Sequence, residues 1–234
     1  AAAPFKIGIA QFAVHGSLDN VREGFLTGLA EEGFRDGENI TVEVQNAQAD
    51  MGQASAIASA FVDNGFDLIL AIATPMAVVS ANTADGKIPV IYAAVTSPTE
   101  AGLSEENGLS PLNVTGTSDQ PPIPRQLALI RALQPEAKTI GLLYTAGEVN
   151  SRVMARQYLE LAGEYGFEIA EATVTAGSEI PLALPGLVKK VDCLSMLLDN
   201  TVVQYLDLVL DAADGAGIPV YGSEVEQVLK GCAA

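Results

Sequence analysis

The fold is decided by residues 6–12, which read KIGIAQF, together with the helical pattern of residues 17–34 that follows. A short apolar run followed by apolar residues at every third or fourth position predicts a buried strand and then an amphipathic helix. Ser17 is a suitable N-cap for this helix, and Gly33 is a suitable stop at its C-terminus. The two segments therefore predict the first strand–helix unit of a parallel sheet.

The same alternation of strands and helices continues along the chain. Further strands are predicted at residues 40–44, 67–73, 88–94, 139–144, 167–174, 191–198 and 218–221, and further helices at residues 54–62, 149–165, 180–188 and 201–213, with another beginning near Pro75. Most of these strands are continuous apolar runs, as expected when helices cover both faces of a parallel sheet. The sequence thus predicts an α/β fold with parallel sheets.

Four short landmarks occur twice, in the same order and at nearly the same separation. They are Ile7-Gly8 with Ile140-Gly141, Gly33-Phe34 with Gly166-Phe167, Asp67 with Asp192, and Ile88-Pro89 with Ile218-Pro219. Any α/β protein repeats some dipeptides, but the shared order favours two similar lobes in tandem. We expect one lobe at residues 1–118 with 224–234 and the other at residues 119–223. The hinge is expected near Ser118-Asp119 and near Ser223-Glu224, with residues 113–117 as a short crossing segment.

The balance of charge restricts the possible partners. The chain of 234 residues carries 12 Lys and Arg against 29 Asp and Glu, a net charge of −17. Nucleic acids and anionic membranes both attract basic patches, so neither is an expected partner. The longest apolar stretch, residues 68–81, is shorter than the roughly 18 residues that a membrane-spanning helix needs. Residues 1–4 (AAAP) are interpreted either as the remnant of signal-peptide cleavage or as a ragged start.

The few histidines and cysteines exclude several kinds of chemistry. His15 is the single histidine and cannot form a multi-histidine zinc site, and Cys193 and Cys232 lack metal-ligand spacing. We interpret the cysteines as free thiols, with one bridge as the alternative. The sequence has no dinucleotide fingerprint, P-loop or nucleophile elbow. We therefore predict no cofactor, no metal site and no catalysis. The open alternatives are an all-carboxylate Ca²⁺ or Mg²⁺ site and an α/β enzyme acting on a small polar metabolite.

Polar residues gather where the predicted strands end. Ligands of parallel α/β sheets bind beyond the carboxyl ends of the strands. In this chain these ends lie in residues 11–18, 73–76, 95–98, 145–151, 199–201 and 222–224. Several of the segments open helices, whose free N–H groups and positive dipole ends suit a carboxylate or a phosphate. Two lobes with such edges facing each other predict a ligand cleft.

Individual residues at these edges admit structural as well as ligand-binding interpretations. Thr74-Pro75 is either a plain N-cap pair or a cap that also binds a ligand carboxylate. Asp199 either caps the next helix or meets a ligand ammonium, and Asp119 is a weaker candidate of the same kind. His15 is either a cleft residue or packs within its own loop. The residues alone leave these alternatives open.

A resemblance to a known family covers essentially the whole chain, in order. It rests on IGIAQFAVHGSLDNVREGFLTGL (residues 7–29), NVTGTSD (113–119), AKTIGLLYTAGEVNS (137–151), LDNTVV (198–203) and IPVYGSEVEQVLKGCAA (218–234), among other runs. These stretches resemble ABC-transporter substrate-binding proteins of the tryptophan/tyrosine-binding kind. The resemblance implies a hinged, two-lobe periplasmic-binding-protein fold of type I. It also implies a monomer that captures an aromatic amino acid or related ligand outside the cytoplasm by lobe closure and delivers it to a membrane permease. The location would be periplasmic or at the cell surface, with no membrane insertion and no catalysis.

Carried over by position, the resemblance implies a set of ligand-binding residues that coincide with the strand ends. They are Gln11, Phe12, His15, Ser17, Leu18, Ala73, Thr74, Pro75, Thr96, Ser118, Asp119, Glu148, Asn150, Ser151, Asp199, Asn200, Thr201 and Glu224, with Ser223 beside the last. The chain departs from the family pattern in two places. His15-Gly16 stands where His-Pro is usual, and Thr96 stands where an Asp is common. Both departures leave the identity of the ligand open.

An amino-acid ligand needs donors for its carboxylate and an acid for its ammonium. We expect Thr74 and the following helix N-terminus to bind the carboxylate, assisted by Asn150 and Ser151. We expect Asp199 to bind the ammonium.

Three further residues complete this expected site. Asp119 or Glu224 is the fallback for the ammonium if Asp199 does not bind it. Phe12 and Leu18 are expected to pack against the apolar side chain of the ligand, although Phe12 is equally well interpreted as a core residue.

Overall fold

The computed structural model describes residues 4–110 and 112–233. Its strands are β1 (Phe5–Gln11), β2 (Ile40–Asn46), β3 (Leu68–Ile72), β4 (Val90–Val95), β5 (Val114–Ser118), β6 (Thr139–Thr145), β7 (Glu168–Val174), β8 (Cys193–Ser195) and β9 (Val220–Tyr221). Its α-helices are α1 (Gly16–Glu31), α2 (Met51–Asp63), α3 (Thr74–Ala84), α4 (Ile123–Leu133), α5 (Val149–Leu161), α6 (Ile180–Val188), α7 (Leu206–Ala216) and α8 (Val225–Leu229).

The strands form two separate parallel sheets. The first has the order β2-β1-β3-β4-β5, and the second has the order β7-β6-β8-β9. Each pair of neighbouring strands is parallel. The predicted α/β fold with parallel sheets is therefore confirmed.

Helices cover the sheets, as the apolar strands require. In the first half, one continuous core joins β1 and β3 to buried residues of the helices, such as Leu18, Phe61 and Met76. In the second half, one core cluster contains Leu184 of α6, while a second contains Leu127 of α4.

Gly8 and Gly141, the glycines of the first repeated landmark, are required for the same structural reason. A Cβ atom on Gly8 would lie 2.7 Å from the ring of Phe61, and one on Gly141 would lie 2.6 Å from Leu194 Cδ2. Both strands therefore pass so close to a packed side chain that only glycine fits. Gly33 and Gly166 likewise share left-handed backbone, with φ of 87° and 74°.

The repeated aspartates anchor equivalent strands. Asp67 accepts a hydrogen bond from the backbone N–H of Lys6, at 2.8 Å, where β1 begins. Asp192 accepts from the N–H groups of Lys138 and Thr139, at 2.7 and 2.9 Å, where β6 begins. These two hydrogen bonds lower the pKa of Asp192. The sequence repeat thus marks the same structural positions in the two halves.

The chain divides into two compact units between Gln120 and Pro121. This division lies close to the hinge expected at Ser118-Asp119. The assignment of residues 224–234 to the first lobe differs from what the structure shows, because α8 packs on the second unit. There Ser223 Oγ donates to the Met196 carbonyl, and Gln227, only 1% exposed, donates to the Leu197 carbonyl.

Some elements differ from the sequence-based expectation. Helix α4 was not predicted, because prolines at positions 121, 122 and 124 hide its start within a loop-rich segment. The strand expected at residues 191–198 is only three residues long as β8, since the chain leaves the sheet after Ser195. The helix expected at residues 201–213 is a 3₁₀ turn followed by α7.

Both cysteines are free and buried within the second unit. Cys193 is 0% exposed and Cys232 is 5% exposed. Burial raises the pKa of Cys193 to about 12 and that of Cys232 to about 11. Both thiols are therefore protonated and shielded from reagents in the folded protein.

Candidate ligand-binding site

The first unit brings its predicted site residues to one edge of its sheet. The residues that follow β1, β3, β4 and β5 belong to adjacent strands and therefore share the carboxyl edge of the sheet. The predicted residues at this edge are Gln11, Phe12, His15, Ser17, Leu18, Ala73, Thr74, Pro75, Thr96, Ser118 and Asp119. Their roles as ligand contacts remain predictions, but the structure shows which of them have hydrogen-bonding groups to offer.

Thr74 has an unused polar group at the start of α3. It lies inside the helix as the first residue, while Ala73 occupies the N-cap position, so the plain N-cap interpretation does not hold. Thr74 is 2% exposed, and its Oγ1 has no hydrogen-bond partner in the described part of the chain. The first backbone N–H groups of a helix also lack partners within the helix. This helix start therefore presents free donors to an anion.

Ala73 holds this helix start in a strained conformation. Its backbone has φ 82° and ψ 151°, a region that is essentially restricted to glycine. Gln48, Ala49 and Ala94, which lie at or near the carboxyl ends of neighbouring strands, also have positive φ, between 54° and 58°. Each such residue costs about 1–3 kcal/mol and is typical of ligand-binding regions.

Gln11 has a structural rather than a free side chain. Its Nε2 donates to the Ala13 carbonyl at 2.7 Å and to Asp19 Oδ1 at 3.0 Å, and its Oε1 accepts from Arg22 Nη1 at 2.8 Å. Both amide protons are therefore used within the first unit. Gln11 joins the end of β1 to α1 and positions the intervening loop.

The remaining residues after β1 divide into core and edge. Phe12 and Leu18 are 2% and 3% exposed and belong to the core of the first unit, as the core interpretation of Phe12 proposed. The Ser17 hydroxyl is buried without a hydrogen-bond partner in the described residues. The His15 carbonyl accepts the N–H of Leu18 at the start of α1.

Asp119 combines solvent access with a hydrogen-bonded carboxylate. The residue is exposed and follows β5 directly. Although the residue as a whole is exposed, surrounding atoms partly desolvate its carboxyl group, and this raises its pKa; a hydrogen bond from its own backbone N–H and another from the hydroxyl of Thr96 act in the opposite direction. Ser118 Oγ donates to the Thr96 carbonyl at 3.1 Å. Asp119 thus retains acceptor capacity for a cation.

In the second unit, Asp199 is fully engaged by its neighbours. It is 2% exposed and accepts five hydrogen bonds. The donors are the Thr145 N–H at 2.6 Å and hydroxyl at 3.0 Å, the Ser151 hydroxyl at 2.7 Å, and the N–H groups of Thr201 at 3.0 Å and Val202 at 2.7 Å. These contacts support the cap interpretation, and the ammonium role of Asp199 remains a prediction.

Glu148 forms a second saturated carboxylate beside Asp199. It is 4% exposed and also accepts five hydrogen bonds, from groups of Asn150, Asn200 and Thr201. Burial and the negative charge of Asp199 raise the pKa of Glu148. All five of these contacts are with hydrogen-bond donors, so the site is built for the ionised form.

The predicted assistance of Asn150 and Ser151 to a ligand carboxylate does not fit their hydrogen bonds. The amide of Asn150 donates to Glu148 Oε2 at 2.9 Å and to the Leu198 carbonyl at 2.6 Å. The Ser151 hydroxyl donates to Asp199. Since these side-chain protons are already used, both side chains are left with acceptors rather than donors.

Glu224 is used at the start of α8. Its carboxylate accepts from the N–H groups of Glu226 at 2.7 Å and Gln227 at 3.0 Å, which makes it the N-cap of that helix.

Sequence reasoning missed Ser80, whose hydroxyl in the middle of α3 is buried without a partner in the described residues. No strand-end or loop pattern marks this position, so the sequence carried no signal for it.

A metal cluster requires several ligating side chains close together, and a membrane-spanning helix requires a long apolar segment. Within residues 4–110 and 112–233, no group of three or more His, Cys, Asp and Glu side chains could hold a metal ion. Among the helices of the same residues, none is long and apolar enough to cross a membrane.

Two parallel α/β units with polar groups at the carboxyl ends of their strands define the class of two-lobe, type I periplasmic binding proteins. The chain belongs to the family of ABC transporter substrate-binding proteins, whose family model matches residues 6–234. This family consists of extracytoplasmic binding proteins, so the enzyme alternative is not supported.

Relatives of known sequence or structure agree with this assignment. A protein named tyrosine-binding protein from Clostridioides difficile is 40% identical over 229 residues, which are 98% of this chain and 66% of that relative. The ABC domain of Streptococcus pneumonia in complex with L-Trp is 34% identical, with a TM-score of 0.94 over 98% of this chain and 77% of that one. The ligand-free, open structure of a Clostridium difficile substrate-binding protein with adhesive properties is 39% identical, with a TM-score of 0.67 over 97% and 77%.

Proposed function

We propose that this chain is the substrate-binding component of an ABC importer and that it captures an L-aromatic amino acid. The observation that carries the proposal is the start of α3, where buried Thr74 offers a hydroxyl without a partner beside free helix N–H groups. These donors match the carboxylate of an amino acid. The relatives named for tyrosine and solved with L-Trp supply the class of side chain.

The wider setting follows from the same family. The partner of the loaded protein is a membrane permease, and the protein acts as a monomer in the periplasm or at the cell surface. The chain spans 66% of the length of the curated relative, so these statements concern the whole protein and remain proposals. The closing of the two lobes on the ligand, and a hinge near Ser118-Asp119, are likewise predictions.

A thermal-shift panel of all common amino acids tests the ligand class. We expect L-tyrosine, L-tryptophan or L-phenylalanine to raise the melting temperature, because a ligand at 100 times its Kd stabilises the folded state by about 2.7 kcal/mol. Absence of a response to any amino acid contradicts the proposal. A response to NAD(P) or nucleotides in its place supports the enzyme alternative.

Calorimetry on Thr74→Val tests the carboxylate site. Valine keeps the shape of threonine but removes the hydroxyl, so we expect affinity for the amino acid to fall about 10-fold, which corresponds to one hydrogen bond to a charged group. The matched control is Thr83→Val, the same substitution near the C-terminal end of the same helix. Equal loss of affinity in the two variants contradicts the assignment to Thr74.

A further inference from the structure

The amide of Asn150 has a defined orientation. Asn150 is the second residue of α5 and is 2% exposed. Its Nδ2 lies 2.9 Å from Glu148 Oε2 and 2.6 Å from the Leu198 carbonyl oxygen. Both partners are acceptors, so only the NH₂ group can stand at that position. The Oδ1 atom must therefore point away from these two partners.

The Oδ1 atom of Asn150 is a buried acceptor that no described residue satisfies. The neighbouring acceptors are fully satisfied, because Glu148 and Asp199 each accept five hydrogen bonds. A buried polar atom without a partner is unusual in a folded protein and requires an explanation. In a polar network that is otherwise complete, a donor on a bound ligand would satisfy this atom.

The chemistry of Oδ1 restricts what that group can be. A carbonyl oxygen accepts hydrogen bonds and donates none, so the ligand must supply a donor. Tyrosine, tryptophan and phenylalanine share a single kind of donor group, the α-ammonium, because their common carboxylate has only acceptors. The carboxylate of Glu148 polarises the amide through its hydrogen bond to Nδ2, and this increases the negative partial charge on Oδ1.

We propose that Asn150 Oδ1 binds the α-ammonium of the ligand and that Glu148 positions the amide for this role. The inference rests on the proposed function and deepens it, since it names the residue that distinguishes an amino acid from the acid without its amino group. The ammonium site is thereby assigned to Asn150 in place of Asp199, whose carboxylate oxygens already accept hydrogen bonds within the second unit.

The test compares two ligands that differ only in the ammonium. Calorimetry is carried out on the full chain with L-tyrosine and with 3-(4-hydroxyphenyl)propanoic acid, and likewise with L-tryptophan and indole-3-propanoic acid. We expect the wild type to prefer each amino acid. In Asn150→Leu, we expect affinity for the amino acid to fall about 10- to 100-fold, as for a hydrogen bond to a charged group. Affinity for the des-amino acid should change much less.

Two further variants separate a binding role from a structural one. Gln204→Leu is the matched substitution, because it removes an amide hydrogen bond to the Asn200 carbonyl, at 2.8 Å, but leaves Asn150 and Glu148 in place. We expect it to keep the ratio of the two affinities. Asn150→Gln retains a carboxamide, with both an NH₂ group and a carbonyl oxygen, and we expect it to keep a preference for the amino acid.

The outcomes are distinguishable. A wild type that binds neither ligand of either pair contradicts the proposed function itself. A wild type that binds both ligands of a pair equally overturns the role of Asn150 while leaving aromatic binding intact, as does a folded Asn150→Leu with an unchanged affinity ratio. If Asn150→Leu does not fold, the wild-type ratio and Asn150→Gln decide the question, and loss of the preference in folded Asn150→Gln counts against the proposal.

Discussion

The two units present the same kind of sheet edge in two different states. In the first unit the hydroxyls of Ser17 and Thr74 are buried without partners, and Ala73 is strained. In the second unit Glu148 and Asp199 are saturated with hydrogen bonds, and no described non-glycine residue after Gln120 has positive φ. The difference indicates that one edge keeps free donors at the expense of stability, whereas the other is held rigid by its own network.

The largest expected effect tests the saturated edge. Asp199→Asn keeps the shape of the side chain but replaces an acceptor oxygen with a donor that faces other donors. We expect the free energy of unfolding to fall by about 3 kcal/mol or more, because a buried charged network loses its centre. Urea unfolding followed by circular dichroism measures the change.

Thr74→Val is the counterpart in the first unit. Its hydroxyl has no partner, so we expect stability within about 0.5 kcal/mol of the wild type. A loss as large as that of Asp199→Asn would abolish the distinction between the two edges.

A second pair of variants compares the packing of the two sheets away from their carboxyl edges. Gly8→Ala and Gly141→Ala each place a Cβ within 2.7 Å of a packed side chain. We expect each to destabilise the protein by about 1–3 kcal/mol. The loss should be greater for Gly8, because the ring of Phe61 yields less readily than the flexible end of Leu194. Thermal unfolding compares the two, and an unchanged melting temperature in both would contradict the packing argument.

A smaller effect is expected from relieving strain in the first unit. Ala73→Gly removes the Cβ that makes φ 82° unfavourable, so we expect a gain of about 1 kcal/mol in unfolding free energy. Ala176→Gly serves as the control, since Ala176 also lies at the N-cap of a helical turn but has extended backbone with φ −151°. A gain in the control equal to that in Ala73→Gly would show that strain is not the cause.

The smallest expected effect is a dependence of stability on pH. The folded pKa of Glu148 is raised above 4.5 by burial and by Asp199, so the folded state holds that proton to higher pH than the unfolded state. Stability should therefore fall as pH rises from about 4.5 through the folded pKa, and then become constant. Urea unfolding of the wild type and Glu148→Gln across this range isolates the contribution. A difference between them that does not vary with pH contradicts the prediction.

Much of the fold followed from the sequence because its signals are local. Apolar runs located the strands, and the repeated glycines and aspartates mark positions where the backbone itself requires those residues. Helix α4 was not predicted from the sequence, because its prolines are equally typical of a loop. In the structure they lie at the start of the helix, where proline is tolerated.

The candidate site was predictable in position but not in role. Strand ends brought Thr74, Asn150 and Asp199 into consideration, yet a sequence does not show which protons are already used. Only the contacts of its amide with Glu148 and with the Leu198 carbonyl reveal that Asn150 has an acceptor to offer and no donor. The positive φ of Ala73 was also beyond prediction, because glycine usually signals such a conformation.

The two buried thiols give the second unit a built-in reporter. Cys193 and Cys232 are shielded and protonated while the fold is intact, so a thiol reagent reaches them only when the surrounding structure opens. The rate at which a thiol reagent modifies them therefore measures how often the second unit opens. A fluorophore attached to a cysteine introduced on the surface would label that position and leave the native pair unmodified, so a ligand-dependent signal from that position is measurable without first removing any cysteine.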